Sequence, residues 1–281
     1  MKLVKIARKD ANAEGVLVGN DVKIIGSWRH GRADDSPFTL GGKSLDELNT
    51  LLRGSQESVP LSSVVLAVPV DPTAQIICAG VNYREHAGEI KAEAPETPRL
   101  FKRTIETLVA HEEAIIRPKV SETFDYEGEI AVVIGGGTHR HVAAKDAMAI
   151  VAGYSCFMDG SVREYQKHTV TAGKNFWRSG AMGPWIVTPD EIGRTDIALQ
   201  TFIDGERLQT ARASEMIFSI AEIIAYITKI TVLRAGDVIA TGTPGGVGSR
   251  KTPPRWLKPG EVVEVDVEAV GRLRNRVEDE G

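Results

Sequence analysis

The feature that most restricts how this chain can fold is a series of short apolar runs bounded by turn residues. Ile76–Ala79, Ile130–Ile134, Ala152–Met158, Trp185–Val187, Leu199–Ile203 and Val238–Ala240 are each too short for an interior helix and each reads as a strand. Met1–Ala7 reads as another, and Val16–Val18 with Val22–Ile25 as a hairpin around Gly19-Asn20-Asp21. From Val262 to Val277 apolar and charged residues alternate, the period of one long half-buried strand or two. Helices are fewer. Capping boxes at Ser44-Leu-Asp-Glu47 and Ser219-Ile-Ala-Glu222 open two of them. The second runs to about Lys229 with an apolar stripe at Ile220, Ile223, Ile224 and Ile227, and Lys145 to Val151 reads as a third helix. Strands outnumber helices and do not alternate with them. The expected class is therefore α+β, mainly β, with helices at the periphery, and not a doubly wound sheet.

The chain has 281 residues, enough to bury a core without disulfides or a structural metal. Residues 1–70 read as a small leading domain and 71–281 as a larger one. The polar stretch Gly54 to Pro60 reads as a linker, and a turn near Pro69–Pro72 opens the second unit. Asn82 to Pro98 is polar, helix-tolerant and closed by prolines, as a mobile lid would be. A formal charge of −4 argues against nucleic acid as the partner. It also means that a small anionic substrate needs locally concentrated positive charge. No apolar run reaches the roughly 18 residues of a membrane helix, and Met1–Gly15 lacks the apolar centre of a signal peptide. Cys78 and Cys156 form no framework, so reduced thiols and a cytoplasmic location are expected.

Chemistry concentrates in Phe124-Asp-Tyr-Glu-Gly-Glu-Ile130. Glu127 and Glu129 lie two apart at the mouth of an apolar strand, on one side and roughly 7 Å apart at Cα. Two carboxylates converging to about 4 Å repel by roughly 4 kcal/mol at an effective dielectric near 20. A shared hard cation removes that cost; a solvent-facing strand edge is the plainer alternative. Asp159 ends another apolar strand, and three carboxylates from two strand ends would leave half of an octahedral shell for water and substrate. A simple Asp-Gly turn remains open for Asp159. His86 and Glu89, three apart, would meet on a helical turn, where the carboxylate fixes the imidazole as a base. Lys174 follows a glycine that lets backbone approach a ligand. Gly242-Thr-Pro-Gly-Gly-Val-Gly248 lacks the Gly-Lys-Ser/Thr of a phosphate loop, although its N–H groups could hold an anionic oxygen. Neither a zinc-type Cys/His cluster nor a Gly-x-Ser-x-Gly elbow is present.

Six segments in this order resemble the fumarylacetoacetate hydrolase family over roughly residues 73–281. They are Gly80-Val-Asn-Tyr-Arg-Glu-His-Ala-Gly-Glu89, Asp125 through Ile134, Gly153-Tyr154 through Asp159 to Gln166, Gly183-Pro-Trp-Ile-Val-Thr188, Glu215-Met-Ile-Phe218 and Gly236 through Gly248. The resemblance implies a mixed β-roll catalytic domain and a homodimer. It implies Mg²⁺ or Mn²⁺, with Ca²⁺ as a stand-in, held by Glu127, Glu129 and Asp159. His86 and Glu89 would match the dyad that activates water, with Lys174 beside the reacting oxygens. Arg84, Arg163, Gln166 and Thr243 would match residues that bind the oxo acid or its departing group. Arg103, Arg212, Gly160, Glu164 and the segment Lys174-Asn-Phe-Trp-Arg-Ser179 depart from the family pattern. They leave the carboxylates alone but alter the pocket, and the added arginines point to a second carboxylate on the substrate.

The resulting expectation is a metal-dependent hydrolase that cleaves a C–C bond in a 2,4-dioxo acid such as an acylpyruvate or a fumarylpyruvate-like compound. Decarboxylation of an oxaloacetate-like acid and isomerisation or hydration of an oxo-dienoate are the enzymatic rivals. A non-catalytic ligand-binding relative is a further rival, but such a protein has no need of the His86–Glu89 pair.

Overall fold

Pairing between distant strands organises the chain around one long sheet. The computed structural model describes residues 1–89 and 95–281. Along the sheet run Ser58–Pro60, Asp21–His30, Ala11–Val18, Lys2–Arg8, Gly180–Val187, Val151–Met158, Gly128–Ile134, Val238–Ala240, Ile76–Gly80 and Arg99–Arg103. A second, five-stranded sheet orders Glu206–Arg212, Ala198–Ile203, Val262–Val267, Gly271–Asp279 and Ile115–Arg117. The protein is mostly β, as the short apolar runs require.

The Gly128–Ile134 strand shows why its sequence is a continuous apolar run. Ile130, Val132 and Ile134 enter a core with Val263 and Val265 of the second sheet. Ala131 and Val133 enter another with Leu3, Leu40 and Val238. A strand covered on both faces gains nothing from alternation. Gly128 sits where the second sheet presses closest: a Cβ there would lie 2.0 Å from Thr201 Oγ1. Only glycine fits between the two glutamates.

Both capping boxes form, on helices Leu45–Gly54 and Ile220–Ile230. Ile223, Ile224 and Ile227 are fully buried, each contributing about 1.5–3 kcal/mol by leaving water. The leading residues join the main sheet through Lys2↔Val187 and Leu3↔Ile186. Their hairpin strands extend beyond the apolar core of the pattern to Ala11–Val18 and Asp21–His30.

Some local expectations change. The helix read from Lys145 to Val151 shrinks to Ala144–Ala147 and a 3₁₀ turn, because Val151 is taken up by pairing with Ile134. The linker ends in a short strand, Ser58–Pro60, paired with Asp21–Lys23. The alternating tail is two strands, turned where Ala269 adopts a positive φ of 63°. Of the stretch read as a lid, Arg84–Glu89 is helical, and residues 90–94 lie outside the described residues. No helix among the described residues is long and apolar enough to cross a membrane.

Candidate metal centre and active site

Antiparallel register assembles the three carboxylates. Gly128 pairs with Met158 and Glu129 with Phe157, and the Asp159 N–H donates to the Glu127 carbonyl at 2.8 Å. Glu127 and Asp159 are thus opposite one another, with Glu129 one pleat along the same face. One oxygen from each carboxylate lies within 4.8 Å of the others, and all three residues are buried.

Their charges are unequally balanced. Lys174 Nζ donates to Glu127 Oε2 at 2.7 Å and Asp159 Oδ2 at 2.6 Å. Arg163 Nη1 stands 2.7 Å from Glu127 Oε1. Burial opposes ionisation of Glu127, but Lys174 and Arg163 outweigh it and hold its pKa below the ordinary value. Burial also opposes protonation of Lys174, yet Asp159 and Glu127 keep its pKa raised. Glu129 accepts the Gly242 N–H at 2.8 Å. Burial, then the neighbouring Asp159, pushes its pKa well above the ordinary value. A divalent cation would relieve that strain, and three converging carboxylate oxygens are the donor set that Mg²⁺ or Mn²⁺ prefers. The residues therefore fit such an ion.

A cavity of about 500 Å³ opens above this face, lined among others by His86, Glu127, Glu129, Lys174 and Thr243. His86 projects inward from the Arg84–Glu89 helix and is buried. Its Nδ1 lies 3.6 Å from Glu89 Oε2, and both atoms lack a hydrogen-bond partner among the described residues. Burial, which outweighs the opposing effect of Glu127, lowers the His86 pKa and favours the neutral imidazole. The other Glu89 oxygen accepts the Gly246 N–H at 2.7 Å, which ties the helix to the glycine-rich loop.

The expected binding residues separate. Arg163 and Gln166 line the cavity and bond to each other at 3.0 Å. Arg163 keeps Nη2 buried and without a partner among the described residues. Thr243 also lines the cavity, but its hydroxyl donates to the Gly128 carbonyl at 2.9 Å and accepts from Gln209 at 2.8 Å. It fixes the loop and has no proton left for a ligand. Arg84 is exposed and does not line the cavity. Residues two apart on a helix do not share a face, and His86 takes the inward one.

The added arginines do not serve a second substrate carboxylate: Arg103 is buried against Asp159, Arg212 is exposed and paired with Asp196 and Glu268, and neither lines the cavity. Three buried residues instead support the site in ways the sequence did not indicate. Asp125 accepts from Tyr126 N, Gly248 N, Ser249 N and Arg163 Nε at 2.9, 2.8, 2.9 and 2.7 Å. The period-two spacing Asp125, Glu127, Glu129 is the signal that could have found it. Arg103 pairs with Asp159 and donates to the Gly160 carbonyl at 3.0 Å. Gln209 joins Gly128 N to Thr243. Neither Arg103 nor Gln209 carries a local signal.

The protein is mainly β, and a buried carboxylate triad that could hold a metal ion lies at a cavity that His86 also lines. The sequence profile described as fumarylacetoacetate (FAA) hydrolase C-terminal matches residues 75–278, and the chain belongs to that family. It is 39% identical over 224 residues to the oxaloacetate tautomerase YisK of Bacillus subtilis, covering 77% of this chain and 74% of that protein. It is 38% identical over 215 residues to the 2,4-didehydro-3-deoxy-L-rhamnonate hydrolase of Sphingomonas sp., 75% of each. The crystal structure of 2-hydroxyhepta-2,4-diene-1,7-dioate isomerase from Mycobacterium marinum superposes with a TM-score of 0.79 at 28% identity, over 100% of this chain and 99% of that one.

Proposed function

We propose that this protein is a divalent-metal-dependent hydrolase that cleaves a C–C bond in a small 2,4-dioxo acid of the acylpyruvate or fumarylpyruvate type. The observation that carries the reading is the buried His86, backed by the partly exposed Glu89, opening on the cavity that Glu127 and Glu129 also line. Glu127, Glu129 and Asp159 would hold Mg²⁺ or Mn²⁺, which supplies Lewis-acid polarisation of the 2-oxo acid when bound. His86 takes a proton from water. With Nδ1 turned to Glu89, Nε2 is its basic atom, and an approach of about half an ångström makes the Nδ1–Glu89 contact a hydrogen bond. The free Arg163 Nη2 and the Gln166 amide bind carboxylate oxygens. Lys174 donates to the oxyanion that develops on the attacked carbonyl.

A second reading, interconversion of the enol and keto forms of an oxaloacetate-like acid, is favoured by the similarity to YisK. There His86 relays a proton to and from carbon and no water attacks.

Product analysis on a panel of oxo acids with Mg²⁺ separates the two. Release of pyruvate and a carboxylic acid from a 2,4-dioxo acid supports hydrolysis. Its absence, with turnover of oxaloacetate enol, installs the second reading. Within hydrolysis, His86→Ala should lower kcat by about 10²–10⁴-fold, with Glu89→Gln between it and wild type. Decarboxylation of oxaloacetate, whose protonation follows bond cleavage, should suffer much less. Equal losses in the two reactions would reduce His86 to a lid or binding residue.

A further inference from the structure

We infer that a second cavity, beside Lys5, is a binding site for a small uncharged aldehyde or ketone, which Lys5 holds as a reversible imine. The site is independent of the oxo-acid reading: its cavity, about 350 Å³, shares no lining residue with the one above the triad.

Lys5 lies in the middle of the Lys2–Arg8 strand. Its chain neighbours Val4 and Ile6 enter one apolar core. Leu3, on the same face as Lys5, enters the core that also holds Val68 and Val70. Strand alternation therefore puts this amine where an apolar side chain would be expected. Lys5 is 1% exposed and lines the cavity together with Val68, Val70 and Leu108. Its Nζ donates to the Val70 carbonyl at 3.2 Å and has no carboxylate within ion-pair distance among the described residues. The acids around it are engaged elsewhere. Glu14 accepts from Arg29 and from the Thr39 and Leu40 N–H groups, Asp71 from the Phe38 and Thr73 N–H groups, and Asp34 from Arg32. A buried ammonium without a counter-ion is costly. Burial accordingly lowers the pKa to about 8, against the opposing pull of Asp34, Asp71 and Glu14. Much of the amine is then neutral near pH 7.5, and a desolvated neutral lysine is a nucleophile toward carbonyl carbon.

The walls select the partner. Val68, Val70 and Leu108 make a buried apolar floor, and the exposed indole of Trp177 stands at the rim. The other cations of the lining are paired, Arg32 with Asp34 at 3.2 Å and Arg178 with Glu113 at 3.5 Å. Asp34, Asp35 and Glu106 also line the cavity, so it offers no free positive charge at the rim to an anion. A carbamate formed from CO₂ would add negative charge here, whereas an imine adds none. In the imine step the Lys5 nitrogen attacks the carbonyl carbon. Both amine hydrogens leave with the carbonyl oxygen as water, and a C=N bond replaces the C=O bond; hydrolysis returns the amine and the carbonyl compound.

The test is reductive labelling of the intact chain in Mg²⁺ buffer at pH 7.5 with benzaldehyde and cyanoborohydride. Peptide mapping separates Lys5 from the Met1 α-amine and from the other lysines. At this pH an amine with a pKa near 8 is neutral roughly 200-fold more often than an ordinary lysine; its weaker basicity offsets part of that, so Lys5 should be benzylated roughly tenfold faster than the rest. Its rate should saturate with benzaldehyde while theirs rise linearly. With 4-carboxybenzaldehyde, the same shape carrying a charge, Lys5 should lose its advantage. Trp177→Ala, an exposed change, should slow labelling at Lys5 about threefold and leave the other lysines alone. Labelling of Lys5 at the surface rate, a rate that does not saturate, an advantage retained with the charged probe, or an unchanged rate in Trp177→Ala each overturns the inference.

Discussion

Replacing Arg103 with methionine should destabilise the protein by about 3 kcal/mol, near the low end of the 3–5 kcal/mol seen when one partner of a buried ion pair is removed. The Arg103 side chain has no exposure, and neither has that of Asp159. Its guanidinium reaches Asp159, the Gly160 carbonyl at 3.0 Å, Ser179 Oγ at 2.9 Å and Thr107 Oγ1 at 3.1 Å. Ser179 and Thr107 spend their own protons on the Phe176 and Thr104 carbonyls, so their lone pairs are aimed at the arginine and nothing else replaces it. The low end applies because Lys174 still holds the other Asp159 oxygen. For a chain of this size, about 2 °C of melting temperature per kcal/mol gives a fall of roughly 6 °C.

Arg103→Lys keeps the charge but loses most of the fan. At about 1 kcal/mol per lost hydrogen bond it should fall between, by roughly 2–4 °C. Thermal melts followed by circular dichroism in chelator give the order wild type, lysine, methionine. Because Arg103 orients a proposed metal ligand, methionine should also weaken Mg²⁺ binding by about 10–100-fold in calorimetry. A methionine variant melting within about 1 °C of wild type, well inside the expected shift, would refute the reasoning that this pair carries stability. Unchanged Mg²⁺ affinity would remove Arg103 from the support of the metal site.

Glu127→Ala, Glu129→Ala and Asp159→Ala should each lose nearly all activity and weaken Mg²⁺ binding, with little change in circular dichroism; normal affinity in any one excludes that residue from the site. Lys5 is buried, and desolvation lowers its pKa to about 8 from 10.5. Between those values the unfolded chain holds a proton that the folded one has released, so stability rises with pH across the window. Relative to Lys5→Met, in which the other titrations cancel, wild type should gain up to about 3 kcal/mol from pH 7 to above 10; a pH-independent difference in melting temperature would show that the amine keeps its ordinary pKa. The chain should form a homodimer at micromolar concentration, and a monomer mass by light scattering would refute this.

Legibility in the sequence followed the range of the interactions. Glu127 and Glu129 were readable because period two is a local property, and Asp159 because it closes an apolar run. The mainly β class followed from run length, and both main helices from their capping boxes. Arg103 was visible only as an odd residue, since its partner Asp159 is 56 positions away. Gln209 reaches Gly128 across 81 positions. The Lys145–Val151 helix was curtailed for the same reason: a strand partner outweighed local propensity. Arg84 was placed by motif similarity, and its position two residues before His86, just over half a helical turn, faces it outward.

The site divides into a part that the sheet makes rigid and a part that can vary without disturbing it. Glu127, Glu129 and Asp159 are set by the register of two central strands, and Gly128 between them admits no side chain. Moving one carboxylate means moving two packed cores. Of the cations at the mouth of the cavity above the triad, Arg99 stands on an edge strand, Lys167 just beyond a short helix, and Arg250 on a turn pinned by Asp125; each can change while the triad stays. A scaffold so divided would keep whatever chemistry the triad supports constant while the mouth varies. Relatives of nearly equal identity to this chain, one a tautomerase and one a hydrolase, are what such a division produces. Substitutions at the three mouth cations should accordingly alter which acid binds before they alter metal affinity, whereas changes at Arg103 should do the opposite.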